Sequence, residues 1–139
     1  MNSFKTSSLY LYLAWLIAVV ATLGSLYFSE VRGFIPCEMC WYQRIFMYPL
    51  ALILGVAAYY SDHRIVKYVL PLSIIGAITS LYHYSLQKLP SLVTASPCTD
   101  GVPCNMQYIN WFGFITIPFL ALVAFVCISI FLWIARKGE

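Results

Sequence analysis

Residues 111–134 read WFGFITIPFLALVAFVCISIFLWI, with no charged side chain from end to end. A helix needs about 20 predominantly apolar residues to cross the hydrocarbon of a bilayer, and this run supplies them. Three further apolar runs precede it, at about 9–28, 45–60 and 66–86, the second of them short for a span. Composition points the same way. The chain of 139 residues is 62% hydrophobic and 9% charged, whereas about a quarter of the residues of a soluble domain are charged. So few polar groups cannot cover a globule in water, and the expected fold class is an all-α membrane protein with four transmembrane helices. Too little chain lies between the runs for a soluble domain, so residues 1–139 are read as a single four-helix transmembrane domain with outer loops at 29–36 and 87–110.

The run at 9–28 follows Lys5 and invites comparison with a signal peptide. Its apolar stretch exceeds the ~7–15 residues usual in such peptides and no small-x-small cleavage site follows, so it is expected to stay as a permanent span. Lys5, Arg64, Lys67, Arg136 and Lys137 fall on one side of the four runs, and Arg32, Arg44 and Lys88 on the other. Short loops rich in Lys and Arg stay in the cytoplasm. Both termini and the 61–67 turn are therefore expected inside, in a multi-pass protein of the plasma membrane. The net charge of +3 reflects this sidedness, and no basic cluster suggests nucleic acid as a partner.

With short connections, the simplest architecture is an up-down bundle, and a closed bundle of this kind is sufficient as a monomer. Small residues at Ala14 and Ala18, Ala51 and Gly55, and Gly76 and Ser80 keep the i, i+4 spacing that lets helices approach closely, although Ala and Gly are common in any span. The outer loop opens with Leu89, Pro90, Ser91, Leu92 and Val93, whose apolar members are expected to lie along the interface. Its tip, residues 98–104, reads CTDGVPC. Asp-Gly and Pro favour a tight reversal, which brings Cys98 and Cys104 together.

The remaining cysteines carry the chemistry. Residues 35–40 read IPCEMC, placing Cys37 and Cys40 at an expected helix start, because Pro is favoured in the first helical positions. Spacing i, i+3 puts both sulfurs on one face. The helix dipole and its unpaired N–H groups favour the thiolate, the nucleophilic and redox-active form. Arg44 shares the face of Cys40 one turn on, where its guanidinium can stabilise a thiolate or donate to a carbonyl oxygen of a bound ring. The alternative for Arg44 is snorkelling to the headgroups. His83, near the outer end of the third span, is placed to approach Arg44 and exchange protons, or else belongs to an interfacial aromatic belt with its neighbouring tyrosines. Cys127, flanked by Val126 and Ile128 in mid-span, is read as a small inert apolar residue.

Two cysteine pairs on one face can relay electrons by thiol–disulfide exchange, a loop pair moving against a fixed helical pair. Three other readings compete. Four cysteines can bind zinc, but the second pair has x5 spacing, outside the usual x2–x4. The bridges can be purely structural, in a disulfide-stabilised membrane interaction protein without redox turnover. Or the exchange can run in the reducing direction.

An ordered set of motifs resembles the DsbB-type disulfide-generating membrane oxidoreductases, and most nearly their short BdbC-like branch in Gram-positive bacteria. It comprises Pro36-Cys37-x-x-Cys40 with Arg44, His83-x-x-x-Gln87, the pair Cys98 and Cys104, and Trp111-Phe112-Gly113-x-x-x-x-Pro118. The resemblance implies that Cys98 forms a mixed disulfide with a thioredoxin-fold partner of DsbA or BdbD type. Cys104 then passes electrons to Cys37, and Cys40 engages a membrane quinone, menaquinone in a Gram-positive host. Arg44 would hold that quinone by hydrogen bonding with His83 nearby, and no metal is implied. In one respect the chain departs from the long-loop members, which keep the loop cysteines much farther apart. The short loop limits the travel of Cys98, and so leaves partner choice and the order of exchange steps open.

Overall fold

The computed structural model describes residues 2–33, 38–89, 113 and 115–138, with side chains from Lys5 onward. Helix α1 spans Asn2–Leu26 and runs on as a π-helical turn, Tyr27–Val31. Helix α2 spans Glu38–Tyr60, a 3-10 turn covers His63–Ile65, and α3 follows directly at Val66–Lys88. Helix α4 spans Ile117–Lys137. Among the described residues these four helices are long and apolar enough to cross a membrane.

The helices form a square: α1 packs on α2 and α4, α3 packs on the same two, and α2 and α4 scarcely touch across the diagonal. The shared interior is built by Leu11, Ala14 and Ala18 of α1, Met47, Leu50 and Leu54 of α2, Val66 and Val69 of α3, and Phe125, Ile128 and Leu132 of α4. Large apolar side chains also face outward, among them Val20, Leu52, Val56, Ile78 and Ile130. In water such a surface would be an aggregation liability; in lipid it is the solvated face.

Small residues set the closest approach. Gly76 lies against the ring of Phe125, which occupies the space a Cβ would need, and a Cβ on Gly55 would come 2.7 Å from Trp15 Nε1. Along the same α3–α4 seam, Ser73 Oγ donates to the Phe125 carbonyl at 3.1 Å and pairs with Ser129 Oγ at 2.9 Å. These bonds satisfy hydroxyls that lipid would leave unpaired.

One end of the bundle is tied by a buried polar knot. Ser7 Oγ donates to the Ala135 carbonyl at 2.7 Å and lies 3.1 Å from His63 Nδ1, while Ser8 Oγ lies 3.4 Å from His63 Nε2. With its hydrogen committed to Ala135, Ser7 Oγ accepts from Nδ1–H, leaving Nε2 to accept from Ser8. The start of α1, the α2–α3 turn and the end of α4 therefore meet here. Ser61, with φ +53°, closes α2 in a left-handed conformation, and the Asp62 N–H donates to the Ala57 carbonyl at 2.9 Å.

Helix limits depart from the apolar runs where polar residues are helical too. α1 begins at Asn2 rather than about 9, and α2 begins at Glu38 rather than about 45 because its first turns carry Gln43 and Arg44. α4 begins at Ile117 rather than about 111: Gly113 takes φ +82° and Thr116 is extended, with Pro118 in the first turn. Apolar composition marks what lipid tolerates, and it does not mark where helical backbone starts.

Candidate functional site

At the end of the bundle opposite the serine–histidine knot, α1, α2 and α4 enclose a cavity of about 580 Å³. Helix α2 contributes Cys40, Gln43, Arg44, Met47 and Tyr48 to its wall. Their spacing of three and four residues is that of one helical face. From α1 come Leu16 through Ser29 at helical intervals, including Gly24 and Ser25, and from α4 come Ile117 to Cys127. Most polar groups gather near the start of α2, and the rest of the lining is apolar, aliphatic side chains with Phe28, Phe125 and the Cys127 thiol.

Arg44 is fixed by α1. Its Nε donates to Ser25 Oγ at 3.1 Å, its Nη2 donates to the Ser25 carbonyl at 3.4 Å, and the Tyr48 hydroxyl donates to the same Ser25 Oγ at 3.3 Å. The guanidinium also lies 5.2 Å from the centre of the Trp41 ring, within cation–π range. It is therefore a structured part of the cavity wall. A charge so held, partly out of water, strengthens any interaction with an acceptor or anion in the cavity.

Cys40 is half-buried in the first turn of α2, on the cavity wall. Cys37, Cys98 and Cys104 lie outside the described residues.

His83 is buried inside the bundle, at 1% exposure. It does not reach the cavity itself. Its Nδ1 lies 3.1 Å from Gln43 Nε2, so the structure brings Cys40 and Arg44 together on the cavity wall and sets His83 one residue behind it. Lys88, near the same end of α3, donates to the Gly113 carbonyl at 2.7 Å and ties α3 to the entry of α4.

Cys127, read from sequence as inert, is a free thiol on the cavity wall. It stands about 15 Å along α4 from Ile117 at ~1.5 Å rise per residue, toward mid-depth. The sequence reading also passed over Gln43, Ser25 and Tyr48. Gln43 carried a signal, being a polar residue three after Cys40, whereas Ser25 carried none because its partner is 19 residues away.

Comparison with known proteins places the chain in context. The family model described as "Disulfide bond formation protein DsbB" matches residues 7–135. "Disulfide bond formation protein C" of Bacillus subtilis is 61% identical over 135 residues, covering 97% of each chain. "Probable disulfide formation protein C" of Halalkalibacterium halodurans is 60% identical over 117 residues, with 84% of this chain and 85% of that one covered. "Probable disulfide formation protein" of Coxiella burnetii is 47% identical over 127 residues, covering 90% and 86%. No solved structure gives a significant match.

Proposed function

The chain belongs to the DsbB family of disulfide bond formation proteins, and from that premise we propose that it reoxidises a thioredoxin-fold dithiol protein at the expense of a membrane quinone. The observation that carries this reading is the shared cavity wall. One wall holds the Cys40 sulfur and the Arg44 guanidinium, and it continues into an aliphatic groove of about 580 Å³, the combination a ring with carbonyl oxygens and a hydrocarbon tail requires. A bound quinone supplies a two-electron, two-proton acceptor, the sink without which new disulfides cannot accumulate.

Each residue then has a task. Cys98 is attacked by, and forms a mixed disulfide with, the partner's thiolate; Cys104 passes the electrons on to Cys37. Cys40 presents its sulfur to the cavity from a helix N-terminus that favours the thiolate. Arg44, held in place by Ser25, would hold a ring carbonyl by hydrogen bonding and would offset negative charge on it. Gly24 and the aliphatic residues of α1 and α4 exclude water and leave room for a tail. Holding the acceptor beside the sulfur makes the transfer effectively intramolecular.

The same reading assigns topology. The chain is an up-down bundle in the plasma membrane with both termini cytoplasmic, since Lys5, Arg64, Lys67, Arg136 and Lys137 cluster toward the end tied by Ser7 and His63. The cysteine pairs then face the extracytoplasmic side, where disulfides persist.

Purified protein in detergent, given a reduced thioredoxin-fold dithiol and menaquinone, tests the assignment. Cys37→Ser and Cys40→Ser should abolish quinone consumption, whereas Cys98→Ser should block oxidation of the protein partner and leave reduction of quinone by a small dithiol intact. If all four cysteine substitutions instead lower thermal stability together and the unmodified protein never consumes quinone, the bridges are structural and the oxidoreductase reading fails.

A further inference from the structure

His83 stands one hydrogen bond behind the cavity wall, joined to it by an amide that has both a donor and an acceptor end. Resting on the quinone reading above, we propose that Gln43 is a positioning residue through which His83 sets the hydrogen-bonding polarity of the cavity's polar end. A neutral imidazole has one acceptor nitrogen and a protonated one has none. With the proton of neutral His83 on Nε2, Nδ1 accepts from the Gln43 amide N–H across 3.1 Å, which leaves the amide oxygen on the side away from His83, free to serve the cavity that Gln43 lines. Protonation turns Nδ1 into a donor. Two donors would then face each other in a buried site, so the amide reverses, its oxygen accepts from Nδ1–H, and its NH2 group is presented to the cavity beside Cys40 and Arg44.

The reaction has a use for both states. Closing the S–S bond between the paired sulfurs releases two electrons and two protons, which convert two ring carbonyls into hydroxyls. The site must therefore donate to its ligand before the reaction and accept from it afterwards. The two protons of the dithiol close the balance with the two ring oxygens; His83 adds none, and its protonation state only selects which end of the Gln43 amide the site presents. Both side chains are buried, Gln43 at 6% and His83 at 1% exposure, so two donors facing each other here would be costly. Among the described residues, the other charged or titratable side chains within five residues of Gln43 on α2 are Glu38, Cys40, Tyr42, Arg44 and Tyr48, and within five of His83 on α3 are Tyr82, Tyr84 and Lys88; residues 117–124 of α4 bring none.

Nuclear magnetic resonance of the full chain in detergent, labelled in histidine ring nitrogens and glutamine side-chain amides, tests this without any quinone. The chain has only 2 histidines, so a His83→Phe spectrum assigns the His83 ring, and a Gln43→Leu spectrum assigns the amide. As the pH is lowered until the His83 ring nitrogens report double protonation, the Gln43 amide signals should change in step. Amide signals that stay fixed while the ring protonates overturn the proposal. A second measurement uses dithiothreitol as donor and a short-tailed menaquinone as acceptor. Gln43→Leu should lower kcat about tenfold with KM changed less than about threefold, and the double variant with His83→Phe should be no worse than either single one; additive losses overturn the coupling. Absence of turnover in the unmodified protein would count against the proposed function, and an indifferent Gln43 amide against this inference, so the two failures read differently.

Discussion

Arg44 owes its place to a serine on another helix. Removing the hydroxyl in Ser25→Ala deletes the 3.1 Å bond from Arg44 Nε and strands the Tyr48 hydroxyl. Hydrogen bonds to charged groups contribute about 1.5–3 kcal/mol, and this one is partly exposed, so the lower end applies. The expected result is a loss of about 1.5 kcal/mol of stability together with a raised KM for quinone, because the guanidinium is no longer held in place; a melting curve and steady-state kinetics measure both. Arg44→Lys should not restore function, because an ammonium cannot reproduce a forked donor that reaches both Ser25 Oγ and the Ser25 carbonyl. At this scale the sequence was half legible. Arg44 announced itself as a cation in a membrane segment one turn beyond a Cys-x-x-Cys, because such a charge needs a purpose. Ser25 did not, since a hydroxyl in an apolar run is common and only the folded chain brings it to Arg44. His83 was recognisable as a functional candidate, but its immediate neighbour is Gln43, a pairing that depends on helix rotation and that spacing within one helix does not specify.

Elements were easier to read than their ends. Each span follows from the need to satisfy backbone groups in lipid, and apolar length makes that need visible. The starts of α2 and α4 are set by local backbone chemistry instead: a polar first turn at Glu38 in one case, Gly113 at φ +82° and Pro118 in the other. Two predictions belong here. Ser61 holds a left-handed φ of +53° at the end of α2, a conformation that disfavours side chains by about 1–2 kcal/mol. Ser61→Gly should therefore raise stability, by about 0.5–1 kcal/mol once the extra freedom of the unfolded glycine is counted, seen as a higher denaturation midpoint in detergent. Gly76→Ala should do the reverse. The Phe125 ring already fills the space of the new methyl, and overpacking of this kind costs about 1–3 kcal/mol. A fall in the same midpoint, relieved by Phe125→Leu in the double variant, would place the strain at the α3–α4 seam.

For the molecule as a whole, the square arrangement explains why a cavity exists. Helices α2 and α4 scarcely meet across the diagonal, and small residues on α1 at Ala21 and Gly24 leave the space between them unfilled. A Cβ on Gly24 meets nothing within 4 Å, so a side chain placed there by Gly24→Leu starts into open space and takes up room in the groove. It should raise the KM for quinone by about tenfold or more while the denaturation midpoint stays put, a separation that a merely structural glycine would not show. Cavities of this kind are invisible to apolar periodicity, because a wall residue and a core residue look alike in sequence; Cys127 is the case in point. The most direct test of the central claim, that this cavity holds the electron acceptor beside Cys40, is photolabelling of the purified protein with an azide-bearing quinone followed by peptide mapping. Label is expected on residues 16–29, 40–48 and 117–127 and is lost when menaquinone is added in excess. Label on α3, or spread evenly over the lipid-facing surface and indifferent to competitor, would contradict it.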